Sequence, residues 1–172
     1  MNRIIGIDPG SRITGYGVIE VDANRISHVA SGCIRTPAGG LPSRLKVIFT
    51  GLLEVIDAHS PDEMAVEKVF VNRNPDSALK LGQARGAAVV AGVHRSLEVY
   101  EFSANEVKKA IVGRGHADKA QVQHMVKILL SLRALPQADE ADALAVALCH
   151  GNTREGIARM HGVDGRRHGR YQ

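Results

Sequence analysis

The sequence predicts an α/β domain built on a five-stranded mixed sheet flanked by helices. Three β-rich segments come first and are separated by short turns, and later apolar runs alternate with amphipathic helices. The 172 residues, 44% hydrophobic and 23% charged, suit one folded domain and exclude wholesale disorder. The expected sheet therefore combines an antiparallel meander with parallel strands.

The meander comes from the first forty residues. Residues 3–8 are apolar and β-branched and are followed by a Pro-Gly-Ser-Arg turn. Strands are predicted over 14–21 and 26–36, with a second turn at 22–24 between them. Because both connections are short, these three strands must run antiparallel to their neighbours.

Helices alternate with two more strands in the rest of the chain. The predicted helices cover residues 42–59, 75–97, 103–113, 118–133 and 137–150, and the predicted strands cover 63–69 and 98–102. Asn74 and Pro75 form a helix start, and Ser103 with Glu106 forms a capping box. Since a helix separates strand 63–69 from the meander, this strand should pair parallel to the first strand.

The domain is expected to end near residue 150. Residues 151–172 contain five Gly and five Arg with no apolar periodicity, which is typical of a flexible basic tail. We therefore predict one domain over 1–150 and a tail over 151–172.

Composition excludes several classes of protein. No apolar run approaches the roughly 18 residues of a membrane helix, and no signal peptide is visible. Cys33 and Cys149 form no Cys-x-x-Cys motif, so we expect free thiols and a cytoplasmic location. The histidines show no zinc-binding spacing.

Carboxylates interrupt two of the apolar strands. Asp8 ends Ile-Ile-Gly-Ile-Asp, and Glu67 lies within Met-Ala-Val-Glu-Lys-Val. A buried carboxylate needs a partner, a metal or a shifted pKa. If the first and fourth strands are parallel neighbours, both acids lie toward the carboxyl ends of adjacent strands, where open α/β sheets usually place their sites.

Two more acids share one face of the last helix. Asp139 and Asp142 are three residues apart, whereas Glu140 points roughly 160° away from Asp142 and is excluded. Together with Asp8 and Glu67 they form an all-oxygen cluster suited to Mg²⁺ or Mn²⁺. Two such ions about 3.5–4 Å apart can promote phosphodiester cleavage.

Each acid also has an ordinary structural interpretation. Asp8 could simply initiate the following turn, and Glu67 could pair with Lys68 or Arg73. Asp139 and Asp142 could serve the dipole at the helix N-terminus. Finding all four at one sheet edge favours the metal site.

The charge balance is compatible with a nucleic-acid ligand. Residues 1–150 carry 17 basic and 16 acidic side chains, so once four acids are set aside basic residues exceed acidic ones by five. A basic rim around an acidic pit suits binding to a phosphate backbone.

Four segments together resemble the RuvC family of bacterial Holliday-junction resolvases, which has the ribonuclease H-like fold. They are I-G-I-D-P-G-S-R-I-T-G-Y-G-V at 5–18, A-V-E-K-V-F at 65–70, N-P-D-S-A-L-K-L-G-Q-A-R-G at 74–86 and P-Q-A-D-E-A-D-A-L-A at 136–145. The resemblance covers about residues 1–150 and is specific because all four segments occur in order. The tail from Gly151 matches no family motif.

The resemblance implies a site and a reaction. The implied catalytic metal ligands are Asp8, Glu67, Asp139 and Asp142, binding Mg²⁺ with Mn²⁺ as a substitute and two ions per subunit. The implied enzyme is a homodimer acting in DNA recombination and repair. It would nick two like strands of a four-way junction symmetrically, leaving 5′-phosphate and 3′-hydroxyl ends.

The resemblance also implies contacts with DNA and with other proteins. Lys108 and Lys119 would hold substrate near the metals, and Phe70 would stack on bases near the crossover, unless it is an ordinary core residue. The RuvA–RuvB branch-migration complex would be a partner. The 75–97 helix would form the dimer contact through Gly82 and Gly86, although packing against the chain's own sheet would equally explain its small residues.

Three other functions remain open at this point. An actin-like ATPase could use the same Asp-x-Gly turn for phosphate, but it needs two lobes and this chain supplies one. A non-catalytic junction-binding scaffold would need no metal. Another nuclease of the same fold would cut a different substrate, such as an RNA–DNA hybrid.

Overall fold

The computed structural model describes residues 1–22, 25–69, 74–113 and 117–167, with side chains described as far as Arg154. Its strands are β1 (Asn2–Asp8), β2 (Ile13–Asp22), β3 (Arg25–Arg35), β4 (Glu63–Glu67) and β5 (Glu98–Phe102). Its helices are α1 (Leu41–His59), α2 (Pro75–His94), α3 (Ala104–Val112), α4 (Lys119–Leu129) and α5 (Ala138–Arg167).

The strands form a mixed sheet in the order β3-β2-β1-β4-β5. β1, β2 and β3 pair antiparallel, and Asp8 lies opposite Gly15. β4 pairs parallel to β1, with Ile7 beside Val66, and β5 pairs parallel to β4. This strand order confirms the predicted mixed sheet. β4 and β5 run parallel to their neighbours because a helical crossover brings the chain back in the same direction.

Alternation along the strands divides the core into two layers. Ile5 and Ile7 pack in the layer that contains α1 and α2, whereas Ile4 packs in the layer that contains α3, α4 and α5. In β4, Val66 belongs to the first layer and Ala65 to the second. Because side chains alternate between faces, Asp8 and Glu67 both belong to the α5 side.

α5 lies directly against the strands that carry Asp8 and Gly15. A Cβ atom added to Gly6 would lie 2.2 Å from the carbonyl oxygen of Ala143, and one added to Gly15 would lie 2.0 Å from that of Asp139. No side chain fits at those separations. Glycine at these two positions therefore sets how closely the first turns of α5 approach the sheet.

Several predicted boundaries differ from the structure. α2 ends at His94 rather than 97 because the Arg95 N–H bonds back to Gly92 and Ser96 has a φ of 60°. α4 ends at Leu129 rather than 133, and Ser131 has a φ of 51°. β4 ends at Glu67 rather than 69. Side-chain caps at Asn74 and Ser103 are as predicted.

The predicted end of the last helix near residue 150 was wrong. α5 continues to Arg167. Its continuation past His150 is held to the domain, because Gly151 packs near Val21 and Ile26 and the Arg154 guanidinium bonds Glu63. Apolar periodicity could not predict this extension of α5, since it is held by the packing of Gly151 and by one ion pair between residues far apart in the sequence. Flexibility farther along the tail stays a prediction.

Within the described ranges, none of the helices has the combination of length and apolar character that crossing a bilayer requires.

Candidate active site

Acids from three elements line one cavity at the carboxyl edge of the sheet. Asp8 ends β1, Glu67 ends the neighbouring β4, and Asp142 projects from the second turn of α5. The cavity has a volume of about 180 Å³. The parallel pairing of β1 and β4 places the first two acids side by side, and the glycine contacts bring α5 across them.

Asp139 does not line this cavity but lies near it. It precedes Asp142 by three residues on α5, and its charge contributes to raising the pKa of Asp8. The structure thus gathers all four predicted acids around one place, with Asp139 at the edge.

The environment of Asp8 strongly disfavours its charged form. The pKa of Asp8 is raised to about 8, first by burial and then by the like charges of Asp142, Glu67 and Asp139, in this order. The pKa of Glu67 is also raised, first by burial and then by Asp142. A site that holds several carboxylates at such a cost has a strong electrostatic preference for a cation.

Apolar side chains from three helices form the rest of the wall. They are Ala104 and Val107 of α3, Val122 of α4 and Val146 of α5. They remove water from one side of the carboxylates, which explains why burial is the leading cause of the raised pKa values. None of these four residues was predicted to line the site, although helical spacing places Val107 with Ile111, and Val122 with Val126, on buried faces.

Two lysines complete the lining. The Lys119 ammonium lies 3.2 Å from Asp142 Oδ2, and this partner is the main cause of the raised pKa of Lys119. The side chain of Lys119 is 81% exposed, so the pair contributes little to stability. Lys108 lines the same cavity, and its charge lowers the pKa of Glu67. Both lysines are placed where a phosphate group would meet the carboxylates.

The structure argues against the ordinary interpretation of Asp8, whereas Asp139 does lie in the first turn of α5, where the helix dipole favours a negative charge. In the turn after Asp8, the Thr14 hydroxyl, rather than the Asp8 carboxylate, bonds Gly10. At the start of α5 the backbone N–H of Gln137 is bonded by Glu140, not by Asp139. Among the described residues Glu67 forms no ion pair with Lys68, and Arg73 lies outside those residues, as does Phe70.

The donor set fits a hard cation in chemistry, although the side chains do not converge on one point. In the part of the chain that the structure describes, no group of three Asp, Glu, His or Cys side chains is arranged tightly enough to hold an ion. The carboxylates of Asp8, Glu67 and Asp142 instead line the walls of the cavity, and Lys119 forms an ion pair with Asp142. All four candidate ligands offer oxygen, the donor that Mg²⁺ and Mn²⁺ prefer.

Comparisons with known proteins agree on one family. The family model for crossover junction endodeoxyribonuclease RuvC matches residues 4–150. Crossover junction endodeoxyribonuclease RuvC of Aeromonas hydrophila is 58% identical over the whole of both chains, and that of Aeromonas salmonicida is 59% identical over 94% of each.

Solved structures show the same likeness. RuvC of T. thermophilus in complex with a Holliday junction substrate matches with a TM-score of 0.85 and 33% identity, covering 91% of this chain and 97% of that one. The yeast mitochondrial Holliday junction resolvase Ydc2 matches with a TM-score of 0.61 at 12% identity, over 93% of this chain and 84% of its own. The second match shows the fold alone.

Proposed function

This chain belongs to the RuvC family of crossover junction endodeoxyribonucleases, and we propose that the cavity between β1, β4 and α5 is its catalytic centre. The enzyme resolves Holliday junctions in recombination and repair by nicking two like strands symmetrically and leaving ligatable ends. The observation that carries the proposed location is that Asp8, Glu67 and Asp142 line one partly apolar cavity together with two lysines.

The proposed metal ligands are Asp8, Glu67, Asp139 and Asp142, and the proposed ion is Mg²⁺, with Mn²⁺ as a substitute and two ions per subunit. When bound, such ions would acidify a water molecule and neutralise the charge that develops on the phosphate. The four carboxylates supply the negative charge that selects the ions. Asp8, whose pKa is raised to about 8, depends strongly on that compensation.

The chain's own residues prepare the substrate. Lys119 reaches across the cavity mouth to Asp142, and its exposed side chain can exchange this carboxylate for a DNA phosphate. Lys108 lies on α3 and lines the same cavity as Glu67, so it supplies a second positive charge to the bound DNA strand. The valines of the wall exclude water and strengthen these interactions. We also propose that Phe70 stacks on bases near the crossover.

Substrate choice tests the proposed function. We expect a four-way DNA junction to be cut at least about 100-fold faster than duplex DNA or an RNA–DNA hybrid of equal length, with no hydrolysis of ATP. Competition between the three labelled nucleic acids at one metal concentration measures this preference. Equal cutting of the hybrid would instead indicate another nuclease of the same fold, and metal-independent binding without nicking would indicate a scaffold.

A stripe on α2 supports the proposed homodimer. Leu79, Val90 and Val93 are more than half exposed, and a Cβ atom added to Gly82 or Gly86 meets no atom within 4 Å. At about 100° per residue these five positions fall within an arc of roughly 80°. The buried residues Ala84, Ala88 and Ala91 lie on the opposite side of the helix, against the sheet.

The alternative role for the two glycines, packing against the chain's own sheet, is therefore not supported. Gly82 and Gly86 lie on the outer face of α2, where small residues let a second helix approach closely. A second copy of the chain would cover the apolar stripe and bring two catalytic centres to a junction of matching two-fold symmetry.

We expect Gly86→Leu to weaken the dimer about 100-fold without unfolding the monomer. The added side chain meets open space within one chain, but overpacking at a close helix contact costs about 3 kcal/mol. Sedimentation velocity over a concentration series measures the dissociation constant. Glu54→Leu adds the same side chain to an exposed position on α1 and should leave the dimer intact. An unchanged dimer in Gly86→Leu would place the interface elsewhere.

We further propose that the RuvA–RuvB branch-migration complex is the functional partner and that the protein acts in the cytoplasm. The second proposal is supported by Cys33 and Cys149, which are free thiols on separate elements, β3 and α5.

A further inference from the structure

The first turn of α5 is tied to the edge strand β3 by hydrogen bonds on the side away from the cavity. Ser31 Oγ lies 2.5 Å from Glu140 Oε1, and the second oxygen of Glu140 accepts from the backbone N–H of Gln137 at 3.0 Å. The Arg35 guanidinium donates to Gln137 Oε1 at 2.7 Å. His28 Nε2 lies 2.7 Å from Ser31 Oγ. Ser31 of β3 thus bonds the first turn of α5, Arg35 bonds the residue just before it, and His28 supports Ser31.

These bonds have a defined direction. A carboxylate only accepts hydrogen bonds, so the Ser31 hydroxyl must donate its single proton to Glu140. His28 Nε2 must then donate to the Ser31 oxygen. Both oxygens of Glu140 are occupied, one by β3 and one by the helix's own capping bond. Glu140 therefore joins the helix start to the sheet edge.

The tied turn carries the proposed metal ligand Asp139, and the next turn begins with Asp142. Glu140 lies between Asp139 and Asp142, on the opposite side of the helix from the cavity. Whenever Asp8 is charged, as it must be to bind a cation, its repulsion with Asp139 and Asp142 pushes this part of the helix away from β1. Contact between Gly15 and the Asp139 carbonyl limits motion toward the sheet, but it cannot resist motion away from it. The hydrogen bonds to β3 can resist motion of α5 away from the sheet.

We propose that Glu140 is a positioning residue, which with Ser31 holds Asp139 and Asp142 at the distance from Asp8 that divalent cation binding requires. This proposal rests on the proposed function, because it takes Asp139 and Asp142 as metal ligands. It assigns a role to the one acid of the 136–145 segment that the sequence analysis excluded from the site.

Two substitutions of Glu140 separate hydrogen bonding from charge. Glu140→Ala removes both bonds. In Glu140→Gln the amide oxygen still accepts from Gln137, and the amide nitrogen donates to Ser31, whose hydroxyl can then donate to His28. Both variants lose the negative charge, so any difference between them is due to the hydrogen bonds.

We expect Glu140→Ala to bind Mn²⁺ about 10-fold more weakly, at the low end of what losing supporting contacts around a metal site costs, because Glu140 bonds no ligand directly and only holds the helix start that carries them. Calorimetric titration of Mn²⁺ measures this directly. The Mg²⁺ concentration for half-maximal junction cleavage should rise by the same factor, with junction affinity unchanged. Glu140→Gln should stay within about threefold of the wild type in both measurements.

Asp57→Ala is the matched control for lost stability. It removes the two-bond contact between Asp57 and Arg95, which ties α1 to the end of α2 away from the cavity, and it should not change Mn²⁺ affinity. If Glu140→Ala lowers only the melting temperature, as Asp57→Ala does, the positioning role is overturned. Equal loss of Mn²⁺ affinity in Glu140→Gln and Glu140→Ala would also overturn the positioning role.

Asp142→Asn distinguishes failure of this proposal from failure of the proposed function. If Asp142→Asn loses Mn²⁺ binding while Glu140→Ala retains it, only the positioning role is wrong. If Asp142→Asn binds Mn²⁺ and cuts junctions like the wild type, the proposed metal site is wrong and the role of Glu140 fails with it.

Discussion

Asp8→Asn should lower junction cleavage by at least about 10³-fold and at the same time make the metal-free protein more stable. A 10³-fold loss corresponds to about 4 kcal/mol of lost transition-state stabilisation. We expect it because Asp8 lines the cavity with Glu67 and Asp142 and is affected by the charges of all three other acids. Junction affinity should be retained, since the lysines of the cavity are untouched. Single-turnover cleavage and a binding titration measure the two properties separately.

The gain in stability follows from the pKa of Asp8. The unfolded chain releases the proton near the ordinary pKa of 3.8, whereas the folded chain keeps it until about pH 8. Between these pH values the unfolded state binds fewer protons, so the free energy of unfolding falls as the pH rises. An asparagine carries no such charge. We therefore expect Asp8→Asn to melt several degrees higher than the wild type at pH 9 in EDTA, and at the same temperature near pH 4.

Asp57→Asn is a control with the opposite sign. Asp57 is exposed, and its pKa is lowered by the hydrogen bond to Arg95, so its charged form favours the folded state. Asp57→Asn should lower the melting temperature at neutral pH and leave cleavage unchanged. Cleavage near the wild-type rate in Asp8→Asn would show that Asp8 is not needed for the reaction. A lower melting temperature at pH 9 would show that its charge does not destabilise the folded state.

Removal of divalent cations should abolish cleavage in the wild-type protein, and Mg²⁺ or Mn²⁺ should restore it. The carboxylates repel one another in the folded state, and a bound cation relieves that repulsion. At 100 times the dissociation constant, the ion adds about 2.7 kcal/mol to the free energy of unfolding. For a chain of this size this raises the melting temperature by roughly 5–10 °C.

The same titration in variants identifies where the ion binds. Asp8→Asn and Asp142→Asn should show little or no rise in melting temperature with Mg²⁺. Glu54→Leu, which lies on α1, should show the full rise. A rise of equal size in Asp8→Asn and in the wild type would mean that the stabilising ion binds outside the proposed site.

Local patterns predicted the architecture correctly, and three of the four predicted acids line one cavity in the structure. Alternation of apolar residues identified β1 and β4, and the intervening helix required them to be parallel, which puts Asp8 beside Glu67 at one sheet edge. A spacing of three residues placed Asp139 and Asp142 on one helical face. Glu140 was excluded from that face by the same geometry, and its bonds to Ser31 and Gln137 agree.

Features that depend on distant residues required the tertiary structure. Lys119 and Asp142 are 23 positions apart, and Ser31 and Glu140 are 109 apart, so no local pattern links them. The length of α5 was misjudged for the same reason, since Arg154 is held by Glu63 across 91 positions. The outer face of α2 could be assigned only after its alanines were seen against the sheet.

The sequence by itself therefore determined the order and type of the elements and the parallel pairing of β1 with β4, and it predicted the four acids that the structure brings to one edge of the sheet. These follow from periodicity, capping and the rules of chain connection, which act over a few residues or constrain neighbouring elements. Only the tertiary structure decided how strongly the acids repel, which lysine pairs with which acid, and what holds the start of α5. Electrostatic energies and hydrogen bonds depend on distances in space between residues far apart along the chain.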